Sequence, residues 1–123
     1  SRTLLLRRKV VLNRAVLIVR FRQLFVEWVN AADPAPAHTI TLADLNSDSS
    51  AFLLEVEDEN DLDEWLAVNG DTLFEEILSD WYTDPDLWPQ DRSLAMFKNW
   101  CSFELHTVVM DTGSSPLEDD EAD

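Results

Sequence analysis

The spacing of hydrophobic positions changes along the chain between two periods, one typical of helices and one typical of strands. Apolar residues recur every three or four positions at 23–32, about 58–81 and 92–101, which predicts three helices. The second helix is amphipathic, with acidic residues and no Lys or Arg among its polar positions. Gly70 lies inside it at a cost of about 1 kcal/mol relative to Ala, and therefore predicts a kink or a close backbone contact.

Three other segments have the pattern of β-strands. Residues 15–19 form a short, continuous and mostly β-branched apolar run, which predicts a strand buried on both faces. Residues 51–56 and 103–110 are also predicted to be strands, in which alternate side chains point to two different faces. Between the first helix and the second strand, Thr41-x-x-Asp44 resembles a capping box and predicts a short helical turn.

The predicted order is β-α-β-α-α-β, and the fold class is α/β (α+β). We expect helices packed on a small sheet of three to four strands, with a right-handed crossover between the first two strands. Residues 13–111 form one compact domain in this interpretation. Residues 1–12 are a basic N-terminal extension and a candidate non-native segment, because the chain contains no initiator Met. Residues 112–123 are predicted to be an acidic, disordered tail.

Charge limits the classes of partner. The net charge is −16 in 123 residues. Residues 1–22 hold seven of the nine basic residues and no acidic residue, while the rest of the chain holds all 25 acidic residues. Such a protein attracts basic proteins and repels phosphates and anionic lipids. We therefore predict a basic protein partner or a homo-oligomer, and neither nucleic acid nor membrane. Nucleic-acid binding by the basic segment is the alternative, but the remaining acidic chain opposes it.

Few residues suggest chemistry, and we predict no cofactor and no metal. The single cysteine, Cys101, excludes an internal disulfide and is predicted to be a buried structural residue. Two glycines cannot form a glycine-rich phosphate cradle. Glu104 and His106 point the same way from the last strand and are weak catalytic candidates, as a His base oriented by a carboxylate. The enzyme alternative needs Glu76 or Asp80, four residues apart on the long helix, to lie near His106.

The aromatic residues after the long helix have two interpretations. They are core residues, or they form an exposed patch with an acidic rim, the composition in which protein interfaces concentrate binding energy. The rim of that patch is Asp80, Asp84, Asp86 and Asp91. The patch and the carboxylates of the long helix together give the candidate interaction residues Trp81, Tyr82, Asp84, Asp86, Leu87, Trp88, Glu75, Glu76 and Asp80.

Three stretches resemble a family of small uncharacterised bacterial, proteobacterial-type proteins. They are NRAVLIVR at 13–20, WYTDPDLWPQDR at 81–92 and F-x-x-W-x-x-F-E-L-H at 97–106. The resemblance covers residues 13–111, and its motif is W-Y-T-D-x-x-L-W-P. It implies a bacterial, cytoplasmic protein and implies no activity, substrate or site. The predicted function is a non-enzymatic acidic interaction module that binds a basic partner or itself. The alternative is a small metal-dependent or hydrolytic enzyme.

Overall fold

The computed structural model describes residues 10–33 and 39–121. The strands are β1 (Val10–Val11), β2 (Ala15–Phe21), β3 (Ser50–Leu54), β4 (Cys101–His106) and β5 (Met110–Asp111). The α-helices are α1 (Gln23–Ala32), α2 (Leu42–Leu45), α3 (Glu59–Ser79) and α4 (Leu94–Trp100), and a 3-10 turn covers Pro85–Leu87. The α+β class and the predicted helices are confirmed. Residues 1–9 of the predicted extension and 122–123 of the predicted tail lie outside the described residues.

The main sheet has the order β3-β2-β4, and every strand pair in it is antiparallel. The predicted right-handed crossover is wrong, because β2 and β3 are antiparallel neighbours with Val19 opposite Ser50. The chain returns to the end of β2 before β3 begins. Asn46 is fixed there, since its side-chain amide bonds both backbone groups of Phe21. β3 then runs back along β2. A separate ribbon pairs β1 with β5.

All the described helices pack on one face of the sheet. Ala15, Leu17 and Val19 of β2 point to that face and are at most 2% exposed. Val16 and Ile18 point to the other face and are half-buried. The predicted burial of this strand on both faces is therefore wrong. A β-branched run has no polar alternation, so its pattern could not distinguish a one-sided sheet from a covered one.

Aromatic packing joins the helices to the sheet. Phe74 of α3 stacks on Phe97 of α4 with ring centroids 4.6 Å apart, and Phe97 meets Phe103 of β4 edge-on at 4.9 Å. Gly70 is buried between α3 and α4, where an added Cβ would lie 3.3 Å from Cδ1 of Leu94. The close contact predicted from this glycine is confirmed.

Two predicted boundaries move. The last strand ends at His106 instead of Met110, and Met110 belongs to the ribbon with β1. α4 begins after Ser93, whose hydroxyl accepts a hydrogen bond from the Met96 amide. Asp91, the residue immediately before the predicted helix at 92–101, instead accepts a hydrogen bond from the Ser93 amide. Both residue types cap helices well, so the sequence did not choose between them.

Candidate functional site

Glu104 and His106 share the outer face of the sheet, as predicted. Their partners across the ladder are Ile18 and Val16, which also point away from the helices. Nε2 of His106 donates to Oε2 of Glu104 at 2.7 Å, and a guanidinium nitrogen of Arg20 lies 3.6 Å from Oε1. The hydrogen bond from His106 lowers the pKa of Glu104, and the positive charge of Arg20 lowers it further. The carboxylate is therefore held ionised in a small exposed ion-pair network.

This pair does not meet the carboxylates of the long helix. α3 packs on the core face, while His106 lies on the opposite face of the same sheet. The expected approach of Glu76 or Asp80 to His106 is therefore wrong. Within residues 10–33 and 39–121, no group of three or more His, Cys, Asp or Glu side chains could hold a metal ion. The sheet itself separates the two halves of that candidate site.

Cys101 occupies a core position at the start of β4. It is 1% exposed, and this burial raises the pKa of its thiol to about 12. A thiol with so high a pKa is protonated at neutral pH, and nucleophilic attack requires the thiolate. The burial of Cys101 agrees with the prediction that it is a buried structural residue.

The aromatic loop after α3 is half-buried against α1. The hydroxyl of Tyr82 donates to the carbonyl of Val29 at 2.5 Å, and the Trp88 indole donates to the carbonyl of Tyr82 at 2.7 Å. The Trp28 indole donates to the carbonyl of Leu87 at 3.0 Å. Each of these three N–H or O–H groups thus donates to a backbone carbonyl. These contacts fix the loop on the domain, where the Leu87 side chain stays 37% exposed.

The predicted acidic interaction residues lie in different surroundings. Asp84 caps the 3-10 turn by accepting from the Asp86 amide. Glu75 lies 3.8 Å from Arg92, whose guanidinium also lies over the Trp88 ring at 5.7 Å. Glu76 and Asp80 are exposed and point elsewhere, Glu76 to a groove beside β3 and Asp80 to a neighbouring hollow. The structure does not bring all nine residues to one patch.

Sequence reasoning missed that groove, which lies between β3 and α3. It has a volume of about 340 Å³. Its walls are largely apolar and include Phe52, Leu54, Trp65, Asn69, Leu73 and Glu76, and we call it the β3–α3 groove. The helical spacing of Trp65, Asn69 and Glu76 is visible in the sequence. Nothing in the sequence, however, marks β3 as an edge strand, and the groove exists only because no described strand covers that edge.

Comparison with known proteins finds no matching family model, no matching curated protein and no matching solved structure. In the described part of the chain, none of the helices has the length and apolar character needed to cross a membrane.

Proposed function

We propose that this protein is a non-enzymatic interaction module that binds a basic protein through the acidic side of α3. One observation carries the proposal. α3 has seven carboxylates and no Lys or Arg, and the only ion pair found for them in the described structure is the 3.8 Å contact between Glu75 and Arg92. Their charge is thus left for another molecule to neutralise.

Most of these carboxylates are exposed along a helix of 21 residues. A helix of that length extends about 30 Å, so the charges form an elongated field rather than a single site. The exposed ones are spread around the solvent-facing surface of α3, and we call them together the acidic face: Glu59, Asp63, Glu64, Asp71, Glu76 and, just beyond the helix, Asp80. An elongated field of one sign speeds association with an oppositely charged surface and rejects surfaces of like charge.

The outer face of the sheet differs from the acidic face. Its charged groups are already paired, with Glu104 held by His106 and Arg20, and Glu55 lying 3.4 Å from Arg14. Surface charges that are already paired within the protein interact only weakly with a partner. This contrast supports α3 over the sheet as the binding surface.

Capture from a bacterial lysate tests the proposal. The full chain is immobilised and bound proteins are identified with and without 0.5 M NaCl, where the Debye length is about 4 Å. The test variant combines Glu64→Gln, Asp71→Asn and Glu76→Gln. The matched control combines Glu118→Gln, Asp119→Asn and Asp120→Asn in the exposed tail, so both variants lose three negative charges.

We expect a basic protein that is lost in salt, binds the α3 variant about tenfold more weakly and binds the tail variant as it binds the parent chain. The factor follows from three surface charge contacts of a few tenths to 1 kcal/mol each. Equal losses in both variants would reduce the effect to net charge and refute a binding surface on α3. Recovery of only a second copy of the chain would also overturn the proposal of a basic partner.

A further inference from the structure

We propose that the β3–α3 groove binds an extended segment of the partner as an added antiparallel strand on β3. The segment would place one apolar side chain in the groove, with a Lys or Arg two residues to either side. The inference rests on the proposed function, because it names the part of a basic partner that is bound and the place where it binds.

The hydrogen-bonding pattern shows which backbone groups of β3 are free. Phe21 turns its N–H and C=O toward the β3 side, where the Asn46 amide binds both at 2.8 and 3.0 Å. The backbone N–H and C=O groups of every second residue in a strand point toward the same neighbouring strand. Leu17, four residues before Phe21, therefore exchanges backbone hydrogen bonds with Phe52, which lies opposite it. In β3 itself, the intervening Ala51 and Leu53 must then point their N–H and C=O groups outward. No described residue bonds these four groups.

The sequence of β3 does not protect this edge. Proteins discourage pairing at free edges with charged side chains, prolines or bulges. β3 reads Ser-Ala-Phe-Leu-Leu and contains no charged residue and no proline. Leu53, within β3, is also 50% exposed and lines the β3–α3 groove. An unprotected edge with outward backbone groups is the surface on which extended peptides add a strand.

The pairing register of an added strand determines the face of the sheet to which each of its side chains points. Residues opposite each other in an antiparallel pair share one face of the sheet. A ligand residue opposite Phe52 therefore points to the helix side, where Trp65 and Leu73 line the β3–α3 groove. The ligand residues opposite Ala51 and Leu53 point to the outer face. One side chain of the ligand thus enters the groove, and apolar walls select an apolar one.

Acidic residues lie at both ends of the groove. Ser50, at one end of β3, borders a hollow that Asp80 also lines, and Glu76 lies in the groove itself. At the other end, a neighbouring hollow that shares Trp65 with the groove is lined by Asp61 and Glu64. Among the described residues, no Lys or Arg lines any of these three hollows. Ligand residues opposite the two ends of β3 therefore meet carboxylates, which favours Lys or Arg at both.

A short peptide with this pattern is the direct test. The probe is fluorescein-labelled Gly-Arg-Thr-Leu-Thr-Arg-Gly, in which Leu lies opposite Phe52 and each Thr opposite Ala51 or Leu53. Fluorescence anisotropy against the full chain measures its affinity. A second peptide, N-methylated at both Thr residues, loses the N–H groups that face β3. A third, N-methylated only at Leu, keeps them, because that N–H points away from β3.

We expect the Thr-methylated peptide to bind at least about tenfold more weakly and the Leu-methylated peptide to bind like the parent peptide. A peptide with Glu in place of both Arg residues should not bind. Equal affinity of the three basic peptides would overturn strand addition, yet would leave the acidic face intact as a binding surface. Failure of every basic peptide in low salt would overturn the inference too, and the lysate capture would then decide the proposed function separately.

A substitution in β3 provides the complementary test. Leu53→Pro removes an N–H that points to the free edge and leaves the ladder with β2 intact, which is the position where edge strands accept proline. We expect this variant to keep the circular dichroism spectrum of the parent chain and to lose peptide affinity about as much as Thr methylation does. Leu53→Ala, which keeps the N–H but shortens the same 50% exposed side chain at the β3–α3 groove, is the matched control and should lose less affinity. A folded Leu53→Pro protein with unchanged affinity would refute the proposal.

Discussion

Replacing Asn46 with Ala tests the contact that positions β3. The Asn46 amide accepts from the Phe21 N–H at 2.8 Å and donates to the Phe21 carbonyl at 3.0 Å, so one side chain takes the place of a strand residue. Each lost hydrogen bond costs about 1 kcal/mol, and more if its partner stays buried and unpaired. Both residues are half-buried, so water reaches the freed groups in part. We expect the free energy of unfolding to fall by about 2 kcal/mol.

Urea unfolding followed by circular dichroism measures this change, and the melting temperature should fall by roughly 8 °C for a chain of this size. Asn69→Ala is the matched control. The Asn69 amide donates only to the Trp65 carbonyl one turn earlier, at 3.2 Å, so its loss should change stability by less than about 0.5 kcal/mol. If Asn46→Ala were as stable as Asn69→Ala, the contact between Asn46 and Phe21 would not stabilise the start of β3 beside β2.

Two further substitutions and one labelling experiment test other parts of the fold. Gly70→Ala should stabilise α3 by less than the ~1 kcal/mol of helix propensity, because the new Cβ lies 3.3 Å from a half-buried, movable Leu94 side chain, and urea unfolding measures the difference. Burial raises the pKa of Cys101 to about 12, so a thiol reagent at pH 8 should label it only after denaturation; rapid labelling of the native chain would contradict its burial. The hydrogen bond from His106 lowers the pKa of Glu104, so the stability this contact adds is present above the usual carboxyl range and lost as pH falls through the lowered pKa. Unfolding of Glu104→Gln against the parent chain from pH 7 to pH 3 should therefore show a difference that vanishes in acid.

Local patterns predicted the elements well. The helix at Gln23–Ala32 and the capping box at Thr41 depend on residues within one or two turns of each other, and both are confirmed. The paired direction of Glu104 and His106 also follows from the two-residue period of a strand. These features need no knowledge of the rest of the fold, which is why sequence alone sufficed for them.

The errors concern how elements meet across the chain. The direction of β3 beside β2 depends on the path of residues 39–49 and on the amide of Asn46, and neither has a periodic signal. The side of the sheet on which α3 packs separates Glu76 from His106, and that choice is made by the whole core. The candidate site that joined Glu76 or Asp80 to His106 therefore failed where local predictions succeeded.

The free edge of β3 and the negative charge of α3 can be explained together. An unprotected strand such as β3 would normally invite a second copy of the chain to pair with it. Pairing β3 with β3 of a second copy, however, would bring two sets of α3 carboxylates together, and like charges held close across an interface cost several kcal/mol. A basic strand brings opposite charges to the same carboxylates. The acidic face would thus select which strand the edge accepts, so removing its charge should weaken binding of basic peptides and at the same time favour self-association of the chain. Sedimentation of the Glu64→Gln, Asp71→Asn, Glu76→Gln variant measures the second effect, and a strictly monomeric variant at high concentration would show that charge is not what keeps this edge open.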